Sequence, residues 1–466
     1  MKFKTLLVFF TAAISCLASG NSMAQTKKSA PNIIMMMADD LGWGDVGFNG
    51  SVSIKTPELD KMASKSLQFT RFYSGAPVCS PTRGSCLTGR NPERYGILFA
   101  NVGHMKPEEV TIAETLKTLG YSTGHFGKWH LGTLSKTIRD GHRGGKNNDE
   151  FSPPWENGFE TCFSTEQAVP TWDPMKTQMV KTYYWTGPEK YATDNLDGDD
   201  SRVIMDRALP FIEGSVKKKK PFLSVIWFHT PHSPVVAGQK YLDMYPGMDE
   251  NHQHYYGCIT AMDEQIGRLR KRIKELGIAD NTIILFASDN GPAGEGGGID
   301  QHPGKRQQGT SGPFRGRKGS LYEGGIRVPA LLEWPAKFKE HRKITAAVTS
   351  SDYYATILSL LGYKNKGTSH PLDGIDVSSI LDGSQTVRPR PIPFKSYKQR
   401  AYTDHQYKIF STDDGEHYEM YDLLNDPSEM TDIAAKQPGI FNSMKAALDQ
   451  WVVSCVKSAG GGDYIH

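Results

Sequence analysis

Residues 32–47 read “NIIMMMADDLGWGDVG”. After Asn32, six apolar residues run without a break into two aspartates, Asp39 and Asp40. A half-exposed strand alternates apolar with polar, and this run does not, so it predicts a strand covered on both faces. The same form recurs. Residues 222–228, “FLSVIWF”, end in His229 and then His232, and residues 282–287, “TIILFA”, lead through Ser288 to Asp289-Asn290-Gly291. A weaker run from Ser122 to Phe126 leads to Lys128-Trp129-His130. Between these runs lie helical spacings. Val110, Ile112, Leu116 and Leu119 mark one helix in 107–119, and Ile259, Met262, Ile266, Leu269, Ile273 and Leu276 mark another in 255–276. Alternating strand and helix predict an α/β fold, with a large mixed, mainly parallel sheet sandwiched by helices. Ligands in such sheets gather at the carboxyl ends of the strands, which is where every polar cluster named above falls.

The texture changes after about Arg388. “RPRPIPF” reads as a linker, followed by strand-like pieces at 399–403, 407–411 and 418–422 and a helix near 440–456. The expected organisation is a leader at 1–24, a catalytic domain at 25–387, and a small C-terminal domain of antiparallel sheet plus helix at 388–466. The leader has two lysines, an apolar run from Leu6 to Leu17, and small residues up to Ala24, the pattern of a signal peptide. Ala13-Ile14-Ser15-Cys16 offers a competing lipoprotein cleavage box. Removing the leader takes the net charge from +3 to about +1, too little for a nucleic-acid binder. No later run is long enough to span a membrane, so the chain is expected to be exported, periplasmic or secreted. Five cysteines would remain, an odd number, so at least one is unpaired or does something else.

Asp39, Asp40, Asp289 and Asn290 offer hard oxygen donors from two strand ends, a set that suits calcium or magnesium. Either pair alone could simply cap a helix or close a turn; two pairs at matching strand ends argue for a cation or for basic partners. Arg83, Lys128 and Lys318 sit in “SPTRG”, “FGKWHLG” and “GRKGS” and, with a cation, would make a receptor for phosphate or sulfate. Residues 77–90, “PVCSPTRGSCLTGR”, hold Cys79 and Cys86. Ser80-Pro81 reads as an N-cap with proline at the first helical position, a helix running to Thr88 and stopping at Gly89. Cys79 would lie just outside its positive end, and Arg83 near the site. A Cys79–Cys86 disulfide is the competing reading, with awkward geometry for two residues of one short helix. A thiolate-phosphatase loop needs arginine six residues after its cysteine, and that position is Ser85.

“CSPTRGSCLTGR” resembles the signature of the type I, formylglycine-dependent sulfatases of the alkaline phosphatase superfamily. “NIIMMMADDLGWGDVG”, “TGHFGKWHLG”, “HTPHSP”, “FASDNGP”, “RGRKGSLYEGGIRVPALLEWP” and “YDLLNDPSE” resemble other segments of that family, in family order. The resemblance implies that Cys79 is converted to formylglycine, whose hydrate is both nucleophile and metal ligand. It implies that Asp39, Asp40, Asp289 and Asn290 hold calcium, with magnesium the second choice. Arg83 would orient the modified residue, Lys128 and Lys318 would hold sulfate oxygens, His130 would support the hydrated aldehyde, and His232 would face the leaving oxygen. Pro81, two residues after Cys79, resembles the substrate form of the oxygen-dependent formylglycine-generating enzyme, the implied maturation partner.

His229 and His232 have the spacing of a zinc pair, but the oxygen-rich site beside them and Pro231 argue against zinc. His229 is expected in a supporting or substrate-contact role. His302, in the Gly-rich loop “GEGGGIDQHPGKRQQGT”, is a candidate substrate contact or a solvated loop histidine. Trp155, Trp172, Tyr184 and Trp185 could stack on a sugar or serve as packing. The implied activity is hydrolysis of sulfate esters on a sulfated carbohydrate. The alternatives are phosphonate or phosphate ester hydrolysis on the same scaffold, or an inactive glycan-binding relative.

Overall fold

The computed structural model describes Met1 and residues 30–143, 149–176, 181–294, 306–363 and 370–464. The expected leader and His302 lie outside the described residues.

The strands in chain order are β1 (Asn32–Ala38), β2 (Leu67–Tyr73), β3 (Ser122–Lys128), β4 (Thr161–Thr165), β5 (Trp185–Gly187), β6 (Lys190–Tyr191), β7 (Phe222–Trp227), β8 (Thr282–Ser288), β9 (Arg327–Glu333), β10 (Arg342–Ile344) and β11 (Val348–Thr349). They form one sheet in the order β10-β2-β9-β8-β1-β7-β3-β4-β5-β6, with β11 beside β2. The centre is parallel, with β1 pairing β7 and β8, and β3 pairing β7 and β4. β9 runs antiparallel to its neighbours β8 and β2. The three strongest apolar runs therefore lie side by side at the sheet centre.

Burial explains why they do not alternate with polar residues. Ile33, Met35 and Met37 enter one core, and Ile34, Met36 and Ala38 enter the other, on the opposite face of the sheet. One face is covered by the helices Cys79–Thr88, Ile112–Thr118 and Asp352–Leu360. The other is covered by Asp200–Lys217 and Glu250–Glu275.

Two helix starts differ from the periodic reading. The helix expected from 107 begins at Ile112, because Thr111 and Glu114 form a capping box there. Val110 is left in solvent. The helix expected from 255 begins at Glu250, where the Asp249 carboxylate accepts the N–H groups of Asn251 and His252. Caps, not apolar spacing, set both starts.

The second sheet is antiparallel, with strands β12 (Ile392–Ser396), β13 (Gln399–Thr403), β14 (Tyr407–Ser411) and β15 (Glu419–Asp422), and the helix Pro438–Ala459 packs on it. The “RPRPIPF” stretch is not all linker, since its last three residues open β12. Among the described residues β12 pairs only with β13, and an edge strand tolerates Pro393. One face of this sheet, through Phe394, Ala401 and Phe410, packs on Tyr73, Leu321 and Ile326 of the larger body. Beside that seam Lys408 on β14 is fully buried, with Glu429 at 2.8 Å and Glu323 at 3.1 Å. Lys408→Ala should strand the buried Glu429 carboxylate and leave Glu323 with Arg327 and Tyr73 alone. The expected loss is about 3–5 kcal/mol, the cost of breaking a buried pair from one side, read by chemical denaturation against wild type.

Candidate active site

Four strands of the parallel centre deliver their carboxyl ends to one place. Ala38 pairs with Ser288 in register, so Asp39-Asp40 leaves β1 beside Asp289-Asn290 leaving β8. The Asp39 N–H donates to Thr230 O at 3.0 Å, the Asp289 N–H to Ala38 O at 3.1 Å, and the Asp40 N–H to Asp289 Oδ1 at 3.1 Å. Asn290 Nδ2 donates to Asp40 Oδ1 at 2.7 Å. Asp40 takes a left-handed backbone, φ 70°, to make the turn.

Three cations meet the three carboxylates. Lys128, the last residue of β3, puts Nζ 2.6 Å from Asp39 Oδ2. Lys318 Nζ lies 2.7 and 2.8 Å from the two oxygens of Asp40. Arg83 donates Nη2 to Asp289 Oδ2 at 2.6 Å and Nη1 to Lys128 O at 2.9 Å. Burial opposes ionisation of Asp39 and Asp40. The facing cations, led by Lys128 for Asp39 and Lys318 for Asp40, outweigh it and hold both below the usual carboxylate range. For Asp289, burial and the nearby Asp39 carboxylate win over Arg83 and push it up to about 7.

The donor set fits a hard cation. Asp39 Oδ1 and Asn290 Oδ1 are buried and accept no hydrogen bond among the described residues. One ligand atom each from Asp39, Asp40, Cys79 and His232 lie within 4.8 Å of one another. Two buried oxygens without a hydrogen bond on a carboxylate-rich wall, one of them 3.6 Å from Arg83 Nη2, are what calcium or magnesium would satisfy.

Cys79 sits at the first turn of its helix rather than outside it. The helix runs Cys79–Thr88 with Val78 as N-cap, so Ser80 is not the cap. Pro81 is tolerated at the third position because the first four helical N–H groups have no intrahelical acceptor. The Ser80 hydroxyl instead accepts from Arg143 Nη2 at 2.9 Å, and Arg143 pairs with buried Glu166 at 2.7 Å. The stop at Gly89, φ 70°, is where the sequence placed it. Cys79 and Cys86 are both free thiols. Seven helical residues span about 10.5 Å, beyond disulfide reach. Burial raises the Cys79 thiol pKa although Lys128 and Lys318 oppose it, so the unmodified side chain is a poor thiolate.

Burial holds the pKa values of His130 and His232 below the ordinary histidine value. His130 puts Nε2 2.7 Å from Asn101 Oδ1, an acceptor, so the proton is on Nε2 and the buried Nδ1 is bare. Burial, then Lys128, keeps its pKa well below the ordinary value. His232 gives its Nδ1 proton to Ser233 O at 2.7 Å, leaving Nε2 bare, 3.8 Å from Asp40 Oδ2. Burial lowers its pKa to about 4 against the pull of the Asp39 carboxylate.

A pocket of about 210 Å³ opens over this cluster, lined by Cys79, Lys128, His130, His232 and Lys318. Arg83 lies buried behind them. Of the two roles expected for His229, the geometry fits the supporting one and not substrate contact: it is fully buried, with Nδ1 2.8 Å from Asp200 and Nε2 2.7 Å from Thr165, so no ring nitrogen is left for a substrate. Tyr184 and Trp185 are buried packing. Asn101, His142 and Gln167 also line the pocket. The sequence reading missed them because they lie in irregular segments with no periodic signal; only their nearness to His130 and Arg143 gives them meaning.

The chain belongs to the sulfatase family. The family model described as Sulfatase matches residues 31–363, and the one described as N-sulphoglucosamine sulphohydrolase, C-terminal, matches 314–454. The N-acetylgalactosamine-6-sulfatase of Canis lupus familiaris is 31% identical over 384 residues, 77% of this chain and 67% of that protein. The ulvan-active sulfatase of Formosa agariphila is 29% identical over 95% of this chain and 84% of its own length. The crystal structure of Ps i-CgsB superposes with a TM-score of 0.76 at 26% identity, covering 91% of this chain and 93% of that one. The protein is accordingly a sulfuric ester hydrolase.

Adding calcium to chelated protein should raise its melting temperature, by about 2.7 kcal/mol of stability at a hundredfold excess over Kd. Asn290→Leu should abolish the gain, as read by calorimetric scans with and without the ion.

Proposed function

We propose that this enzyme removes sulfate from a sulfated glycan, using formylglycine made from Cys79 and a calcium ion held by Asp39, Asp40, Asp289 and Asn290. The observation that carries this reading is the convergence of three cations, two of them fully buried, three buried carboxylates and two bare imidazole nitrogens on one buried cysteine. The named relatives act on N-acetylgalactosamine 6-sulfate and ulvan, and the Ps i-CgsB structure was also obtained with a neocarrahexaose. A pocket of about 210 Å³ is small. It lies below the usual size of a ligand cavity, so most of a polymer would lie outside it.

When bound, the cation supplies Lewis acidity toward a sulfuryl oxygen and an acidified hydroxyl; formylglycine supplies, as its hydrate, the hydroxyl that attacks sulfur. The remaining work belongs to the chain. Lys128 and Lys318 meet the charge on the sulfuryl oxygens. Arg83 fixes Asp289 and the carbonyl of Lys128, so the cation wall and the lysine move as one unit. His130 can accept a proton from residue 79 at its bare Nδ1. His232 must first gain a proton at Nε2 to give one to the leaving alcohol, and a bound anion favours that protonation.

We take residues 25–387 as the catalytic unit and 388–466 as the smaller one. Pro81 favours the oxygen-dependent formylglycine-generating enzyme as maturation partner, and the leader favours export to the periplasm or medium. Among the described residues no helix is long and apolar enough to cross a membrane.

Two experiments test the mechanism. Peptide mass spectrometry across Cys79, with and without the generating enzyme, should show a species about 18 Da lighter than the cysteine form. Sulfate release should track its fraction; release from an all-thiol sample refutes the nucleophile assignment. His232→Asn should cut turnover of a sugar sulfate by about 10²–10⁴-fold. The same change should cost far less on nitrophenyl sulfate, whose leaving group needs no proton. Equal losses on both substrates would remove His232 as the acid.

A further inference from the structure

We propose that Gln399, on the C-terminal sheet, is a positioning residue for Lys318. The inference rests on the reading of Lys318 as a holder of sulfate oxygens. Gln399 opens β13, facing Ser396 across the hairpin. Its amide straddles the segment that follows Lys318. Nε2 donates to Gly319 O at 2.6 Å, and Oε1 accepts from the Leu321 N–H at 2.9 Å. Each end of the amide meets a group of the opposite kind, which fixes its orientation.

That segment needs such a clamp. Gly319 has φ +87°, and residues 315–322 belong to no helix or strand, so no ladder holds them. Its ends are tied where the Gly324 N–H meets Arg315 O and the Gly325 N–H meets Tyr322 O, and its middle is tied at two points beside the site and by one turn of its own. The Lys318 N–H donates to Pro292 O at 3.0 Å, two residues past Asn290. The Gly319 N–H donates to Pro77 O at 2.8 Å, two residues before Cys79. The Ser320 N–H closes a turn on Arg317 O at 2.9 Å. Gln399 supplies the link from outside, and it comes from another sheet. Lys318 reaches Asp40 through a long flexible stem, so where its ammonium sits depends on where this backbone sits.

The test is a double-mutant cycle. Gln399→Met removes both hydrogen bonds at nearly constant length. Gln399→Glu keeps the acceptor for Leu321 but sets a carboxylate oxygen against Gly319 O, and it serves in place of the methionine variant should that one fail to fold. KM and kcat on a sulfate ester, and the Kd for inorganic sulfate by titration calorimetry, are measured for wild type, Q399M, Q399E, K318A and each pair of changes combined. The expected result is a rise of about 10-fold in KM and in the sulfate Kd for Q399M, inside the roughly 10²-fold that a 1 Å misplacement can cost. The rise should be larger for Q399E, and each double variant should be no worse than K318A alone. Losses that multiply in the double variants overturn the proposal, because independent sites add in free energy. A sulfate Kd within twofold of wild type in both single variants also overturns it. Wild-type protein that neither cleaves an ester nor binds sulfate overturns the role of Lys318 itself, and this proposal with it.

Discussion

Three carboxylates and three cations share one buried site, and the rest of the molecule is arranged around that constraint. Each ion taken from water costs several kcal/mol, which only close and well-directed partners offset. The partners come from distant stretches of chain: Arg83 from a helix, Lys128 from a strand end, Lys318 from an irregular segment. Only a rigid frame holds six such groups within hydrogen-bond reach. The parallel centre of the sheet provides it, because β1, β7, β8 and β3 are covered on both faces and cannot shift without opening a core.

The balance is even in formal charge but not in satisfaction. Asp39 Oδ1, Asn290 Oδ1 and His130 Nδ1 stay buried without a hydrogen bond among the described residues, and Asp39 Oδ1 has only Arg83 Nη2 at 3.6 Å. Unmet polar atoms in a fold are costly, and they concentrate where a ligand completes the set. Asp39 and His130 are near residue 79, the first among the ligand atoms within 4.8 Å of one another and the second across the same pocket. A thiol there is held protonated by burial, so the site around Cys79 is built for a side chain of different chemistry. The proposed modification accounts for a cysteine in such surroundings and a disulfide does not, since Cys79 and Cys86 are both free thiols and lie two helical turns apart.

Much of this was legible in the residues. Unbroken apolar runs identified β1, β7 and β8, and their polar ends located Asp39, Asp40, His232, Asp289 and Asn290 before any contact was known. Local chemistry also placed the stop at Gly89. What was not legible depended on tertiary context. Ser80 looks like a cap until Arg143 takes its hydroxyl, and Ile392-Pro393-Phe394 looks like linker until β13 pairs with it. His229 looks like a site residue by adjacency, yet the turn after β7 sends it inward to Asp200 and Thr165 and sends His232 to the pocket. Asn101 carries no sequence signal at all, because its role is to hold one nitrogen of a histidine 29 positions away.

The smaller sheet is more than an appendage to this site. Its β12–β13 hairpin reaches loops on two sides of the pocket. Gln399 grips the segment after Lys318, and Tyr397 rests on Phe99 with ring centroids 4.6 Å apart, two residues from Asn101. Deeper in the same seam, the Glu323 N–H donates to Glu429, and Lys408 from β14 pairs with both acids while Arg327 pairs with Glu323 as well. Glu323 begins the short helix that leads into β9, and β9 pairs with β8, whose end carries Asp289 and Asn290. The stretch from Arg315 to Glu323 is thus held at one end by the small sheet and at the other by the large one. Lys318 sits in the middle of it, so the geometry of an anion bound there is a property of both sheets together, and removing the C-terminal unit would take away half of the support for a residue that unit does not contain.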